Sequence, residues 1–174
     1  ETEAEAEGDL NPELVAQITL AGFEADASAL PYWRMNLGGG PSSLNIPLEI
    51  PMHVGSGVVD YEYTIPYPGT ANSSPIIYFF GPIQNPCLYN TTTGLQLVFE
   101  NYFVLAGGYV AIDCRQPSPR VYDQFGVSRE PLLSDDSNLD TFYLAPGDNN
   151  VHITGTDIDA DSAIEVHYAI KERP

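Results

Sequence analysis

The sequence predicts an all-β fold, an antiparallel β-sandwich, on three observations. Apolar and polar residues alternate strictly in several separate stretches. In the centre of the chain, turn-forming residues recur roughly every eight to twelve positions, the spacing of consecutive antiparallel strands. No stretch carries a convincing amphipathic helical pattern.

Glu1 to Asp9 alternates acids with small residues and has no apolar side, so it predicts a solvated segment. Ordering each residue costs about 1–2 kcal/mol, which such a segment cannot recover by burial. Contact with a neighbouring subunit is the alternative, and much of Glu1 to Met52 is expected to run against one. The chain starts at Glu1 with no initiator Met, which suggests processing, trimming or a longer product. Ala16, Ile18 and Leu20 alternate with Gln17 and Thr19 as a short strand. Residues 1–26 are therefore read as an acidic segment plus one strand, 27–57 as an extended connector and 58–174 as the sandwich.

The connector carries the lone tryptophan in Pro31-Tyr32-Trp33-Arg34, ahead of Gly38-Gly39-Gly40. An aromatic pair in a loop either anchors it to its own domain or meets a partner, so Tyr32 and Trp33 are interface candidates. Leu44, Ile46, Leu48, Ile50 and Met52 then alternate with Asn45, Pro47, Glu49 and Pro51. Both prolines fall on the polar parity, and proline cannot donate to a ladder. This predicts an edge strand or a strap with one apolar face, which makes Leu44, Ile46, Leu48 and Ile50 interface candidates as well.

Val59, Tyr61, Tyr63 and Ile65 alternate with Asp60, Glu62 and Thr64 as a strand with one buried side. Ile76 to Phe80 is an unbroken apolar run, too short for a helix, and reads as a strand covered on both faces. Leu95, Leu97 and Phe99 alternate with Gln96, Val98 and Glu100. Gly107-Gly108 predicts a hairpin turn, since such loops need positive φ. Val110, Ile112 and Cys114 then point inward, opposite Tyr109, Ala111 and Asp113. Val121, Tyr122 and Phe125 make a short strand. Phe142 and Leu144 are expected to pair with Val151 and Ile153 across Pro146-Gly147-Asp148-Asn149-Asn150, the strongest turn signal. A last hairpin around Asp157 to Asp161 returns through Ile164, Val166, Tyr168 and Ile170. The total is about eight sandwich strands.

Six Lys+Arg against 24 Asp+Glu give a formal charge of −18 over 174 residues. That argues against nucleic-acid or anionic-membrane partners, which need cationic surface. No apolar run approaches the roughly 20 residues of a membrane helix. Cys87 and Cys114 read as a pair of small buried thiols, with one bridge as the alternative if their strands are adjacent. Asn72-Ser73-Ser74 and Asn90-Thr91-Thr92 match the glycosylation pattern in turns.

Site chemistry is sparse. His53, His152 and His167 are scattered, although the last two would approach each other if their strands were neighbours. There is no nucleophile elbow, phosphate-cradling glycine loop or helical metal motif, so no catalytic residue and no cofactor is expected. Asp157, Asp159 and Asp161 could surround a Ca²⁺ ion with oxygens. Ser162 and Tyr168 stand where an EF-hand needs Gly and Glu, which favours a solvated hairpin tip.

Four stretches resemble one family. Tyr67-Pro68-Gly69 with Ser74-Pro75-Ile76-Ile77, Gly81-Pro82 and Asn85-Pro86 resembles the opening of the C-terminal domain of siphophage distal tail proteins. Leu105 to Asp113 is similar to that family's "aGd-l-iD" hairpin, and Leu144 to Val151 to its "L-pG-N-i" turn. Phe23-Glu24-Ala25 through Pro31-Tyr32-Trp33-Arg34 and the proline strap resemble its interdomain connector. The resemblance spans about residue 15 to the C-terminus. It implies a galectin-like, jelly-roll sandwich in the virion, made in the host cytoplasm and displayed at the tail tip or baseplate. It also implies a ring of copies, a hexamer or trimer, built through an N-terminal domain and contacting other tail proteins, with no catalytic or cofactor residues. At most one strand stands here where that domain should be, so the chain would be the C-terminal part of a longer protein, a cleaved product or a stand-alone relative. The alternative is a carbohydrate-binding module for host surface glycan, since aromatic faces stack on sugars and the chain has 11 tyrosines.

Overall fold

Two antiparallel sheets pack face to face. The structure is a computed structural model, and it describes residues 30–37 and 57–173. The acidic segment, the strand at residues 16–20, the strap with Leu44, Ile46, Leu48 and Ile50, and His53 lie outside the described residues. One unit, Pro31–Pro174, carries the sandwich. Its strands are β1 (Tyr32–Asn36), β2 (Gly57–Tyr67), β3 (Ile76–Phe80), β4 (Ile83–Asn90), β5 (Leu95–Val98), β6 (Phe103–Val104), β7 (Tyr109–Asp113), β8 (Arg120–Asp123), β9 (Gly147–Ile158) and β10 (Ala163–His167). A single 3-10 turn spans Glu130–Leu132, and no α-helix occurs among the described residues.

The first sheet has the order β1-β10-β3-β7-β8, the second β2-β9-β4-β5 with β6 beside β4. Period-two alternation sends one parity of every strand between the sheets. Ile77 and Phe79, Val110 and Ile112, Ile164 and Val166 enter from the first sheet. Val59, Ile65, Val151, Ile153, Leu88 and Leu97 enter from the second, and Phe99, Phe142 and Leu144 fill from the loops. Ile77, Phe79, Leu97, Phe99, Val110, Ile112, Phe142, Leu144, Ile153, Ile164 and Val166 are all buried, whereas Ile170, on the same parity as Ile164 and Val166, lies beyond β10 and is exposed.

Two breaks in alternation have visible causes. Asn85 has φ 49° where the β4–β9 register shifts between Gln84 and Cys87. The extra residue moves the inward set from Ile83 to Pro86, Leu88 and Asn90. Pro86 is tolerated because it sits in that bulge. Asp157 has φ 54° and does the same in β9, turning Ile158 inward.

Several sequence expectations change. Pro31 to Arg34 is not a loop, because Tyr32–Asn36 pairs with β10 at the sheet edge; the connector thus contributes a strand. Gly107 does take positive φ, 73°, but the turn joins β6 in one sheet to β7 in the other. The Asp157–Asp161 turn likewise crosses between sheets rather than closing a hairpin. Phe142 and Leu144 belong to no strand, and β9 begins already at Gly147. There the Asn149 side chain, rather than a ladder, satisfies the backbone of Ala145. Tyr61 shares parity with Tyr63 yet is 42% exposed, packing edge-on against the Tyr63 ring. Phe125 lies outside β8, in the exposed turn beyond it. Ten strands, rather than about eight, are present among the described residues.

Candidate functional site

The outer face of the first sheet is unlike the rest of the surface. Strand pairing places three rows across it. Arg34, Glu165, Tyr78, Ala111 and Tyr122 form one row over all five strands. Tyr32, His167, Ile76, Asp113 and Arg120 form the next. Asn36, Ala163, Phe80 and Tyr109 form the third. Aromatic residues on the outward parity of β1, β3, β7 and β8 thus meet, although they are far apart in sequence. The second sheet turns Glu62, His152, Tyr89 and Gln96 outward in a mainly polar row.

The rings lock together. Tyr32 stacks on His167 at 4.9 Å with planes 15° apart. Tyr78 meets His167 edge-on at 5.1 Å and Tyr109 at 5.6 Å, and Tyr109 lies 5.9 Å from Phe80. Pairs of this kind add about 0.5–1.5 kcal/mol beyond burial, which favours a fixed arrangement of the face. Burial, followed by the neighbouring Tyr122, pushes the Tyr78 phenol well above its ordinary value, so it stays protonated and able to donate.

Charged groups between the rings are mutually satisfied. Arg34 pairs with Glu165, its guanidinium 5.4 Å above the centre of the Phe80 ring. The other Glu165 oxygen meets His167 Nε2 at 2.9 Å. Asp113 is buried and accepts two hydrogen bonds from the Arg115 guanidinium, each 2.9 Å. Those hydrogen bonds raise Arg115 above the usual arginine range. Arg120 stands 3.8 Å from Asp113 and 5.2 Å from the centre of the Tyr122 ring. Stacked rings beside oriented planar ions suit recognition of a ligand with one apolar face and several hydroxyls.

The remaining candidates fall elsewhere. Tyr32 is on this face and 57% exposed. Trp33, its neighbour in sequence, points the other way, packs against the core and lies 6.1 Å from the Tyr63 ring. His152 and His167 do not approach, because β9 and β10 belong to opposite sheets; His152 pairs with Asp60 instead. Asp157, Asp159 and Asp161 do not converge, and no metal-holding group of acids, His and Cys occurs among the described residues. Asp159 Oδ1 is used to cap its own turn, accepting the Asp161 N–H at 2.8 Å. Cys87, half-buried on β4, and Cys114, buried just after β7 of the other sheet, are free thiols, and burial pushes both upward in pKa. The Asn90 side chain is buried and accepts the Thr92 N–H at 3.0 Å, so it is closed to glycosylation in the folded state, whereas Asn72 is exposed.

Asp123 organises the turn after β8. Its Oδ1 accepts N–H groups from Phe125 and Val127, and Oδ2 takes a forked pair from Arg129 at 2.9 and 2.6 Å. Burial pushes the carboxyl up, but these donors outweigh it and hold the group below the usual value. A depressed folded pKa stabilises the fold above the unfolded value, about pH 4, and is lost as pH falls through the folded value. Asp123→Asn is therefore expected to lower stability at pH 7 and to flatten the acid limb of a denaturation-versus-pH curve. An unchanged acid limb would show that Asp123 does not carry it.

The outer face of the first sheet was missed in the sequence, where Ile76 to Phe80 read as covered on both sides. The available signal was the shared parity of Tyr78, Phe80, Tyr109 and Tyr122. Comparison with known proteins adds no assignment: no family model, no curated protein and no solved structure matches the chain.

Proposed function

We propose that this chain is a structural component of a bacteriophage tail tip or baseplate, similar to a distal tail protein, with an outward-facing sandwich and no chemistry of its own. The supporting observation is where the family-like stretches fall in the fold. Ser74 to Ile77 opens β3, Leu105 to Asp113 forms the crossover turn into β7, and Leu144 to Val151 forms the buried-Asn149 entry to β9. They are therefore the fold-defining junctions of a single sandwich rather than scattered turns. A charge of −18 suits a surface that resists non-specific association. Partners are copies of the same chain in a ring, with other tail proteins, and the location is the virion. Native mass spectrometry of the full chain, with gold-labelled antibody on purified particles, tests this reading. A hexamer or trimer and label at the tail tip are expected; a monomer absent from particles would overturn it.

A second reading is favoured by the aromatic face of the first sheet. There the sandwich also acts as a carbohydrate-binding module for host surface glycan. The two roles are compatible on one domain.

A further inference from the structure

Most aromatic rings on the first sheet's outer face are half-buried against one another, whereas Tyr32 is 57% exposed. One side of its ring is laminated onto His167, so the ring plane is set before any ligand arrives. His167 is its one ring contact among the described residues, and more than half of the residue remains exposed. Two positions along the same strand, about 7 Å away on the same face, stands Arg34. Directly opposite Arg34 on β10 is Glu165. The two are ion-paired, with the guanidinium over Phe80 and the carboxylate also tied to His167. A flat apolar plane thus stands beside a planar donor and a planar acceptor, each oriented by neighbours.

We infer that Tyr32, Arg34 and Glu165 form a subsite for an uncharged hexopyranose residue, an assignment that rests on the glycan reading above. A pyranose has a flat C–H face of the size of one tyrosine ring, and vicinal hydroxyls that donate and accept in one plane. Stacking on Tyr32 brings those hydroxyls toward Arg34 and Glu165, where charged partners make the stronger hydrogen bonds. Because the partners are already held, little side-chain ordering remains to oppose binding. Charge selects the neutral sugar. Arg34, Arg115 and Arg120 on this face are each matched to Glu165 or Asp113, and the chain as a whole carries −18. An anionic sugar would meet a repulsive field and arginines already engaged.

The test is calorimetric or NMR titration of the full chain. Lactose, cellobiose, maltotriose and N-acetylglucosamine oligomers serve as neutral probes, with sialyllactose and oligogalacturonate as anionic ones. At least one neutral probe is expected to bind. Tyr32→Ala should weaken it by up to about tenfold, the loss of one stacking ring, and lower the melting temperature by no more than a few degrees through the lost stack on His167. Arg34→Gln should weaken it too, while Tyr89→Ala on the other sheet should leave it unchanged. Binding of anionic probes alone would overturn the neutral subsite and leave the glycan reading standing. Binding of none would overturn both. Neutral binding indifferent to Tyr32→Ala and Arg34→Gln would place the sugar elsewhere and overturn this site. So would a Tyr32→Ala that splits an oligomer without changing sugar affinity, since the face would then belong to a second copy.

Discussion

Phe99→Ala is expected to destabilise the fold by on the order of 3–5 kcal/mol, the range for emptying a buried phenylalanine site. Phe99 is 1% exposed. It follows β5, leans on the Tyr102 ring at 5.1 Å, and bridges to Leu133 in the long loop after β8. Its N–H is donated to the Pro86 carbonyl at 3.1 Å, which fastens the chain beside the β4 bulge. The backbone around the ring is therefore pinned on both sides, so collapse into the vacated space is restricted and the cavity penalty is largely retained. For a chain of this size the loss corresponds to roughly 6–20 °C in melting temperature. Phe99→Leu fills much of the volume and should cost clearly less, while Phe125→Ala, at a site 80% exposed, should cost little. Guanidinium denaturation of the three variants checks the order. A loss for Phe99→Ala no greater than for Phe125→Ala would show that the sheets do not close over this ring.

The sandwich was legible because burial in a sheet follows residue parity, and parity is local. Ile77 with Phe79, Val110 with Ile112, and Ile164 with Val166 declare their inward side within one short stretch of sequence. Partner choice is not local. Gly107 signals a reversal through its positive φ, but the same φ serves a hairpin or a crossover, and only the distant β3 and β8 decide that β7 joins their sheet. The same limit hid the aromatic face. Tyr32, Tyr78 and Tyr109 reveal a common surface only once β10 is known to run between β1 and β3. Trp33 and Tyr32 read as one aromatic pair, yet strand geometry sends them to opposite sides. Asn149 was visible as turn chemistry, and its burial was not.

Asn149→Ala is expected to cost roughly 3 kcal/mol, for polar rather than apolar reasons. The side chain has no solvent exposure. Its Oδ1 accepts the Ala145 N–H at 2.9 Å and the Asn90 amide at 3.2 Å. Its Nδ2 donates to the carbonyls of Ala145 at 2.8 Å and Gly147 at 3.2 Å. Asn90 is itself buried and holds the turn after β4 through the Thr92 and Thr93 N–H groups. Truncation would remove partners from both polar groups of Ala145 and from the Asn90 amide, and a buried group left unpaired costs about 1–3 kcal/mol. Water reaching the loosened loop offsets part of that sum. Asn149→Asp separates hydrogen bonding from shape. The new carboxyl keeps the acceptors but loses the donors, and no cation contacts Asn149 among the described residues. Burial disfavours its ionised form, so its folded pKa lies above the unfolded value of about 4. The sign follows: the variant is nearest to wild type below that value and loses stability as pH rises. Urea titrations of wild type, Asn149→Ala and Asn149→Asp at pH 4 and 7 should show a nearly pH-independent deficit for alanine and a larger one at pH 7 for aspartate. If alanine lies within about 1 kcal/mol of wild type, the Asn149 side chain does not hold the entry to β9.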